Sequence, residues 1–411
     1  MTGHMRLGFH APETAEELAH LVAEAVDTRT PLEVMGRGTK REIGRPVGSG
    51  SVVSTERMVG VPLYEPSELV LVAQAGTPLR QIETMLAENE QELPFEPVDL
   101  GPILGYGPGE ATIGGVIATN ISGSRRVIAG AARDYVLGVK AVNGRGEIIK
   151  AGGRVMKNVT GYDVGRVLAG SWGTLAIMTE ISLKVLPAQR EIRTLICFGL
   201  PDPTGVEALC LAMDTPFAVS GTVHMHAGLA KGLSHPEISG AGVSVTAIRV
   251  ENFPASARYR ASRLKQVLAA YGPRLELDTM GSRAFWEEIR TLKMFQGTKA
   301  PLWRISTTPA GASKLVAGLA RKIEVRALYD WSGGLVWLQT QALTDAGAVE
   351  VRRTIAELGG HATLVLAEAS TRGAIDIFQP LDPLLMALTT KLKQAFDPAG
   401  ILNPGRMYQG L

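Results

Sequence analysis

The chain has 411 residues, 45% apolar and 20% charged, a globular composition and more chain than one ordinary core accommodates. Forty-two Lys and Arg against 40 Asp and Glu leave a net charge of +2, too weak a field to hold nucleic acid or an acidic membrane. Two cysteines, Cys197 and Cys210, fall well short of an iron–sulfur cluster's thiolates, and no stretch approaches the ~18 apolar residues that span a bilayer.

The residues up to Ala11 show no apolar run ahead of a cleavage site, so the expectation is a cytoplasmic protein. Thr14 to Ala25 reads as a helix: Thr14 and Glu17 form a capping box, and Leu18, Leu21, Val22 and Ala25 share one face. A short strand, Pro31 to Met35, runs into Gly36-Arg-Gly-Thr-Lys-Arg41, where two glycines precede a hydroxyl and two cations. That order suits a phosphate, although an ordinary tight turn has the same composition. It is neither G-x-G-x-x-G, which fails at Arg41, nor a Walker A loop.

Leu69 to Ala75 is a nearly continuous apolar strand, and Gly76-Thr-Pro-Leu79 should start a helix with Thr77 as N-cap and Leu79, Ile82, Met85 and Leu86 inward. Pro94 to Pro108 reads as loop. Seventeen of the 47 glycines then fall between residues 101 and 180, set among short β-branched runs such as Thr112-Ile-Gly-Gly-Val116 and Gly170-Ser-Trp-Gly-Thr-Leu175. Glycine in that setting lets backbone approach a ligand closely, and a diphosphate takes main-chain N–H groups, so the stretch reads as the wall of a dinucleotide site. Within it, Asn143-Gly-Arg-Gly146 between Val139–Val142 and Glu147–Ile149 signals a hairpin.

After Leu186-Pro187 the glycines thin out and a domain boundary is expected, giving 1–187, 188–370 and a tail, 371–411. Strands are expected over Ile192–Phe198, Phe217–Met225, Val243–Glu251, Val325–Asp330, Leu335–Thr340 and His361–Leu366. Helices are expected over Ala255–Ala270, Arg283–Lys293, Ala310–Arg321, Asp345–Leu358 and Pro383–Phe396, the last between Asp382 and Asp397-Pro398. This is an α+β pattern, a mostly antiparallel sheet covered by helices.

Several constellations carry possible chemistry. His224 and His226 have metal-site spacing, but with no acid or thiol nearby in sequence they also match a solvated strand face, and no metal is assigned. Ser171 sits in a broken nucleophile-elbow pattern, yet no histidine lies between His20 and His224 to act as its base. Arg304 beside Trp303 could clamp a carboxylate or simply pack. The Trp331-Ser-Gly-Gly334 turn with Trp337, and Gly359-Gly-His361, place an aromatic or imidazole beside close-approach glycines and could equally be core.

Together the Gly-x-Gly-Thr-Lys loop, Ala75-Gly-Thr-Pro78, Thr112-Ile-Gly-Gly115, Lys157-Asn-Val-Thr-Gly-Tyr-Asp163 and Gly170-Ser-Trp-Gly-Thr-Leu175 resemble the vanillyl-alcohol oxidase and p-cresol methylhydroxylase flavoproteins. Within that family, Ser122-Gly-Ser-Arg-Arg126, Leu302-Trp-Arg-Ile305, Asp330-Trp-Ser-Gly-Gly334, Gly359-Gly-His-Ala362 and Asn403-Pro-Gly-Arg-Met-Tyr408 resemble the FAD-binding subunits of bacterial glycolate oxidases.

The resemblance implies a two-part FAD-binding domain with a ferredoxin-like cap. It would place the diphosphate on Gly36, Arg37, Gly38, Thr39 and Lys40. The flavin and its ribityl chain would lie along Pro97, Gly109, Thr112, Ile113, Gly114, Gly115, Asn120, Ser122 and Gly123, with the adenosine at Ile177 and the tail at Asn403 and Arg406. Arg304, Trp331 and His361 become the expected catalytic groups. Thr39 stands where relatives attach FAD through histidine, which implies non-covalent FAD. Expected partners are a homologous FAD- and metal-containing D subunit, an iron–sulfur subunit and a small 2-hydroxy acid, with the inner membrane face reached only through the complex. Arg125 and Arg126 could dock that complex or pair with FAD phosphate. The metal cluster of related dehydrogenases is not found in the cap, so two alternatives stay open: an FAD relay without its own substrate pocket, and a stand-alone 2-hydroxyacid oxidase.

Overall fold

The computed structural model describes residues 8–48, 50–153 and 161–411. Lys157 to Thr160 of the Lys157–Asp163 motif therefore lie outside the described residues; Asp163 caps the short helix Val164–Leu168, accepting from the Arg166 N–H. Among the described residues the strands form four sheets, of three, five, eight and two strands.

The first sheet is parallel, with Ser51–Ser54 between Gly8–His10 and Leu32–Met35. Helix Ala15–Thr28 covers it, burying Leu18, Val22 and Ala25 against Leu32 and Val53. Thr14 caps this helix as expected, while the Glu17 carboxylate turns to the N–H of Glu13. The five-stranded antiparallel sheet runs Leu63–Glu65, Val70–Gln74, Ala176–Lys184, Val136–Asn143, Ile148–Gly152, with the expected hairpin joining the last two. Helices Leu79–Ala87 and Ile113–Thr119 share its core. Thr77 does not cap the first of these: its hydroxyl bonds both the N–H and C=O of Gly60, and Pro78 takes the N-cap position.

The eight-stranded sheet is antiparallel throughout and consists of two βαββαβ units, two ferredoxin-like motifs rather than one. In the first, Glu191–Phe198, helix Asp202–Met213, Val219–Met225, Val245–Asn252, helix Pro254–Val267 and Pro273–Leu277 follow in order. In the second the order is Leu302–Ser306, helix Pro309–Ala320, Val325–Asp330, Leu335–Thr340, helix Ala348–Leu358 and His361–Leu366. The units join where Val219–Met225 pairs with Val325–Asp330.

Two of these elements escape the sequence reading. Asp202-Pro-Thr-Gly205 looks like a turn, yet Pro203 lies in the first helical turn, where a missing N–H costs nothing, and Gly205 lets the helix sit on His224: a Cβ there would be 2.3 Å from the ring. Pro273–Leu277 begins at proline on a sheet edge, where no ladder donor is needed. Helix Thr279–Arg290 starts earlier than expected because Asp278 caps it, accepting from the Gly281 N–H.

Register decides which side chains share a face. Val223 pairs with Asp330, Leu328 with Trp337, Trp337 with Arg304, and Ser306 with His361. With period 2, Arg249, Asp330, Trp337, Arg304 and His361 therefore lie on one face, the one that meets Glu96 and Ser124 of the first half of the chain.

Candidate functional site

Beyond the Leu32–Met35 strand the chain turns back through Gly36 to Arg41, and a crevice opens between this turn and the glycine-rich wall. Gly36, Arg37, Gly38, Thr39, Lys40 and Arg406 line one side; Thr112, Gly114, Gly115 and Ile177 line the other. Thr55, Ala118, Thr119, Trp172 and Gly173 line it too and are absent from the sequence expectation, although Trp172 and Gly173 belong to a quoted motif.

The turn presents unpaired donors and a buried cation. Among the described residues, no partner accepts from the N–H groups of Arg37, Gly38, Thr39 or Lys40. The Lys40 side chain is buried without a carboxylate in contact, and burial pushes its ammonium down to about 8. A diphosphate would satisfy both.

The wall behaves differently from the expectation of donated N–H groups. Ile113 N–H goes to Thr77 O at 3.0 Å, Gly114 N–H to Ala75 O at 2.8 Å and Gly115 N–H to Thr112 Oγ1 at 3.2 Å. Its glycines serve close approach instead. A Cβ on Gly36 would be 2.3 Å from Thr112 Oγ1, and one on Gly114 would be 2.8 Å from Ala75; one on Gly115 would meet only Thr112 Oγ1, at 3.3 Å, leaving that position open to the crevice.

The remaining expected residues support the crevice without lining it, and Arg406, which lines it, also braces the turn. Asn403 ties the two rims, accepting from Val34 N–H and donating to Trp172 O, both at 2.8 Å. Arg406 Nη2 holds Lys40 O at 3.0 Å, with its guanidinium lowered by burial to about 10. Ile113 is core, Asn120 ends its helix in the left-handed region and Gly109 N–H bonds Asp99. Pro97 bridges Ser122, whose hydroxyl takes the Ala132 N–H, and Gly123 N–H bonds the Glu96 carbonyl.

Arg125 is not available for docking or for phosphate. It is buried in an ion network with Glu92 at 2.7 Å and Glu251 at 2.8 Å, which, with Glu96, more than offset desolvation and hold its guanidinium above its usual pKa. Arg249, from the first half of the cap, joins through a bidentate pair with Glu96 at 2.7 and 3.0 Å. Burial would raise the Glu96 carboxyl, but Arg249 and Arg125 hold it at about 2.

Arg304, from the second half, has no such partner. Its guanidinium lies 5.2 Å from the Trp331 ring and 6.0 Å from Trp337, and its Nε is buried without a hydrogen bond. Arg126 approaches the same Trp331 indole at 4.9 Å. Burial, with Arg126 nearby, lowers Arg304 to about 10, although the Asp330 carboxylate draws it back up. His361 stands at the rim, its imidazole lowered by desolvation and by Arg304, Arg126 and Arg352. The expected catalytic groups thus gather at one end of the cap sheet; none of them lines the crevice.

His224 and His226 are not on a solvated face. The strand Val219–Met225 is buried along its length, His226 just past its end is half-buried, and Asp202 accepts from His224 Nε2 at 3.2 Å, His226 Nε2 at 2.8 Å and the Tyr329 hydroxyl at 2.6 Å. Although burial opposes it, those bonds hold the Asp202 carboxyl well below the usual range. Ala327 N–H points at His226 Nδ1, so Nε2 carries the proton and has no lone pair for a metal. Among the described residues no group of three His, Cys, Asp or Glu is placed to hold one.

Comparison with known proteins agrees with the crevice. Residues 7–152 match the FAD binding domain family. The chain is 33% identical over 401 residues to glycolate oxidase subunit GlcE of Escherichia coli (strain K12), covering 97% of this chain and 98% of that one. It is 25% identical to a D-lactate dehydrogenase of Archaeoglobus fulgidus, covering 97% and 91%. The fold matches p-cresol methylhydroxylase with a TM-score of 0.71 at 12% identity, over 97% of this chain and 88% of the other. The vanillyl-alcohol oxidase architecture is therefore that of this chain, FAD is its cofactor, and the chain belongs to the family of glycolate oxidase subunit GlcE.

Proposed function

We propose that the chain is the FAD-binding subunit of a glycolate oxidase complex, taking part in oxidation of glycolate to glyoxylate. Full-length likeness to a glycolate oxidase subunit carries the reading, and the Arg304 geometry supports its chemistry. Bound FAD supplies the two-electron oxidant, accepting hydrogen from the α-carbon of the 2-hydroxy acid.

The chain's own groups have three tasks. Gly36 to Lys40 hold the diphosphate through free N–H groups and the Lys40 ammonium, while Arg406 and Asn403 fix the turn. Arg304, backed by Arg126 and lying against the Trp331 and Trp337 indoles, takes the substrate carboxylate. His361 stands at the rim of this site. FAD is held without a covalent bond, since Thr39 occupies the attachment position and, among the described residues, no histidine lines the crevice. Electrons leave through partners, a D-type subunit and an iron–sulfur subunit, because Cys197 and Cys210 cannot hold a cluster. Among the described residues no helix is long and apolar enough to cross a membrane, so a quinone at the inner face would be reached through that complex.

Anaerobic glycolate added to the isolated flavoprotein tests the reading: the oxidised flavin band should bleach. A flavin that stays oxidised while a D-type subunit alone turns over would leave this chain only a relay role. Acid precipitation should release all yellow colour to the supernatant; a yellow pellet would refute non-covalent attachment.

A further inference from the structure

The loop Gly123 to Arg126 grips the Trp331 turn at three points. Trp331 Nε1 donates to Gly123 O at 3.0 Å, Ser124 Oγ bonds Asp330 Oδ2 at 2.8 Å, and Arg126 lies over the indole. Asp330 ends its strand 3% exposed, and its other oxygen accepts the Trp331 N–H at 2.7 Å. Trp331 and Ser332 both have positive φ, 51° and 58°, a strained pair retained because these bonds over-determine it.

Charged groups face this carboxyl from each side: Glu96 and Arg126 from the flavin part, Arg249 from the first half of the cap and Arg304 from the second. Among the described residues no Lys or Arg pairs with it, unlike Glu96 and Glu251 in the adjoining network. Burial pushes it up to about 7, with Ser124 and the Trp331 N–H drawing it back, Glu96 raising it and Arg249 lowering it.

We propose that Ser124 and Asp330 form the proton-accepting pair of the 2-hydroxy acid site, an inference that rests on the function proposed above. With the substrate carboxylate on Arg304, the substrate hydroxyl gives its proton to Ser124 Oγ as the Ser124 proton passes to Asp330 Oδ2. The α C–H bond breaks, its hydrogen and electron pair leaving for bound oxidised flavin, and the 2-oxo acid's C=O forms. One proton and one hydride account for the oxidation. Ser124 meets the substrate; Asp330 acts through it and holds the proton.

The test uses FAD-loaded Asp330→Asn and Ser124→Ala beside wild type. In wild type, anaerobic flavin reduction by glycolate should rise with pH through an ionisation near 7 and level off above it. Asp330→Asn should slow reduction about 100-fold or more and abolish that ionisation, while oxalate binding, read from the flavin spectrum, is kept. Ser124→Ala should slow reduction and keep oxalate binding. Infrared spectra of the FAD-free protein give a readout free of turnover: a protonated-carboxyl band should grow as pH falls through about 7, persist in Ser124→Ala and be missing from Asp330→Asn. An unchanged pH profile in Asp330→Asn, or a missing band in wild type, overturns the proton pair while leaving the glycolate reading intact. Wild-type flavin that glycolate never reduces removes the reaction itself, and the pair with it.

Discussion

The two halves of the cap share one topology, and each turns an arginine toward the flavin part, Arg249 buried and Arg304 half-buried. Arg249 meets Glu96 and lies near Glu251, and its charge is neutralised by the protein. Arg304 meets two indoles, and among the described residues no carboxylate pairs with it, Asp330 acting on it only from a distance. Desolvating a cation costs several kcal/mol whichever half holds it, so the difference lies in where the compensating charge comes from. In the first half it comes from the chain and braces cap to flavin part; in the second, among the described residues, no carboxylate supplies it through an ion pair.

Arg249→Met should give the largest effect. It leaves Glu96 and Glu251 short of a counter-charge, and about 3–5 kcal/mol of stability should be lost in denaturant titration. A loss below about 1 kcal/mol would remove the bracing role and with it the contrast between the halves. Arg304→Met removes a charge the protein does not compensate. Stability should stay the same or rise, while glycolate-driven flavin reduction falls about 10- to 100-fold, the worth of a charged hydrogen bond. Unfolding comparable to that of Arg249→Met would show that Arg304 is a second brace.

The same distinction between packing and ligand applies to two adjacent glycines. Gly114→Val drives a side chain into Ala75 and should destabilise the fold. Gly115→Val points into the crevice and should give a folded protein with little FAD. Full flavin content in the second variant would displace FAD from this wall.

The smallest effect concerns pH. The folded-state pKa of Lys40 is depressed to about 8, and a diphosphate favours its charged form. FAD affinity should therefore be flat below pH 8 and weaken by up to about tenfold per unit above it, until the pKa of the FAD-bound state is reached. Titration of Lys40→Met apoprotein with FAD should remove the slope; a slope that survives assigns it elsewhere.

Local signals made much of the molecule legible. The apolar strand at Val70–Gln74, the hairpin at Asn143 and the capped helices at Thr14 and Asp382 follow from the order of nearby residues, because each is stabilised by neighbours in sequence. The turn from Gly36 to Lys40 was readable for the same reason: glycines, a hydroxyl and cations in one short run carry their own chemistry.

Other features depend on contacts between segments far apart in the chain. His224 and His226 look solvated until helix Asp202–Met213 brings a carboxylate to both, and that helix is hidden behind turn-like residues whose glycine fits only against His224. Arg125 and Arg126 are neighbours of identical type; three acids from two distant segments consume the first, and one indole receives the second. By itself, then, the sequence determined most of the element types, the glycine turn that lines the crevice and the likeness to flavoproteins, since period, capping and glycine placement act over a few residues. Tertiary structure alone decided which charges are paired within the protein and which are not, because a side chain's electrostatics depend on what surrounds it in space, and the carboxylates that answer Arg125 and Arg249 lie as much as 153 residues away along the chain.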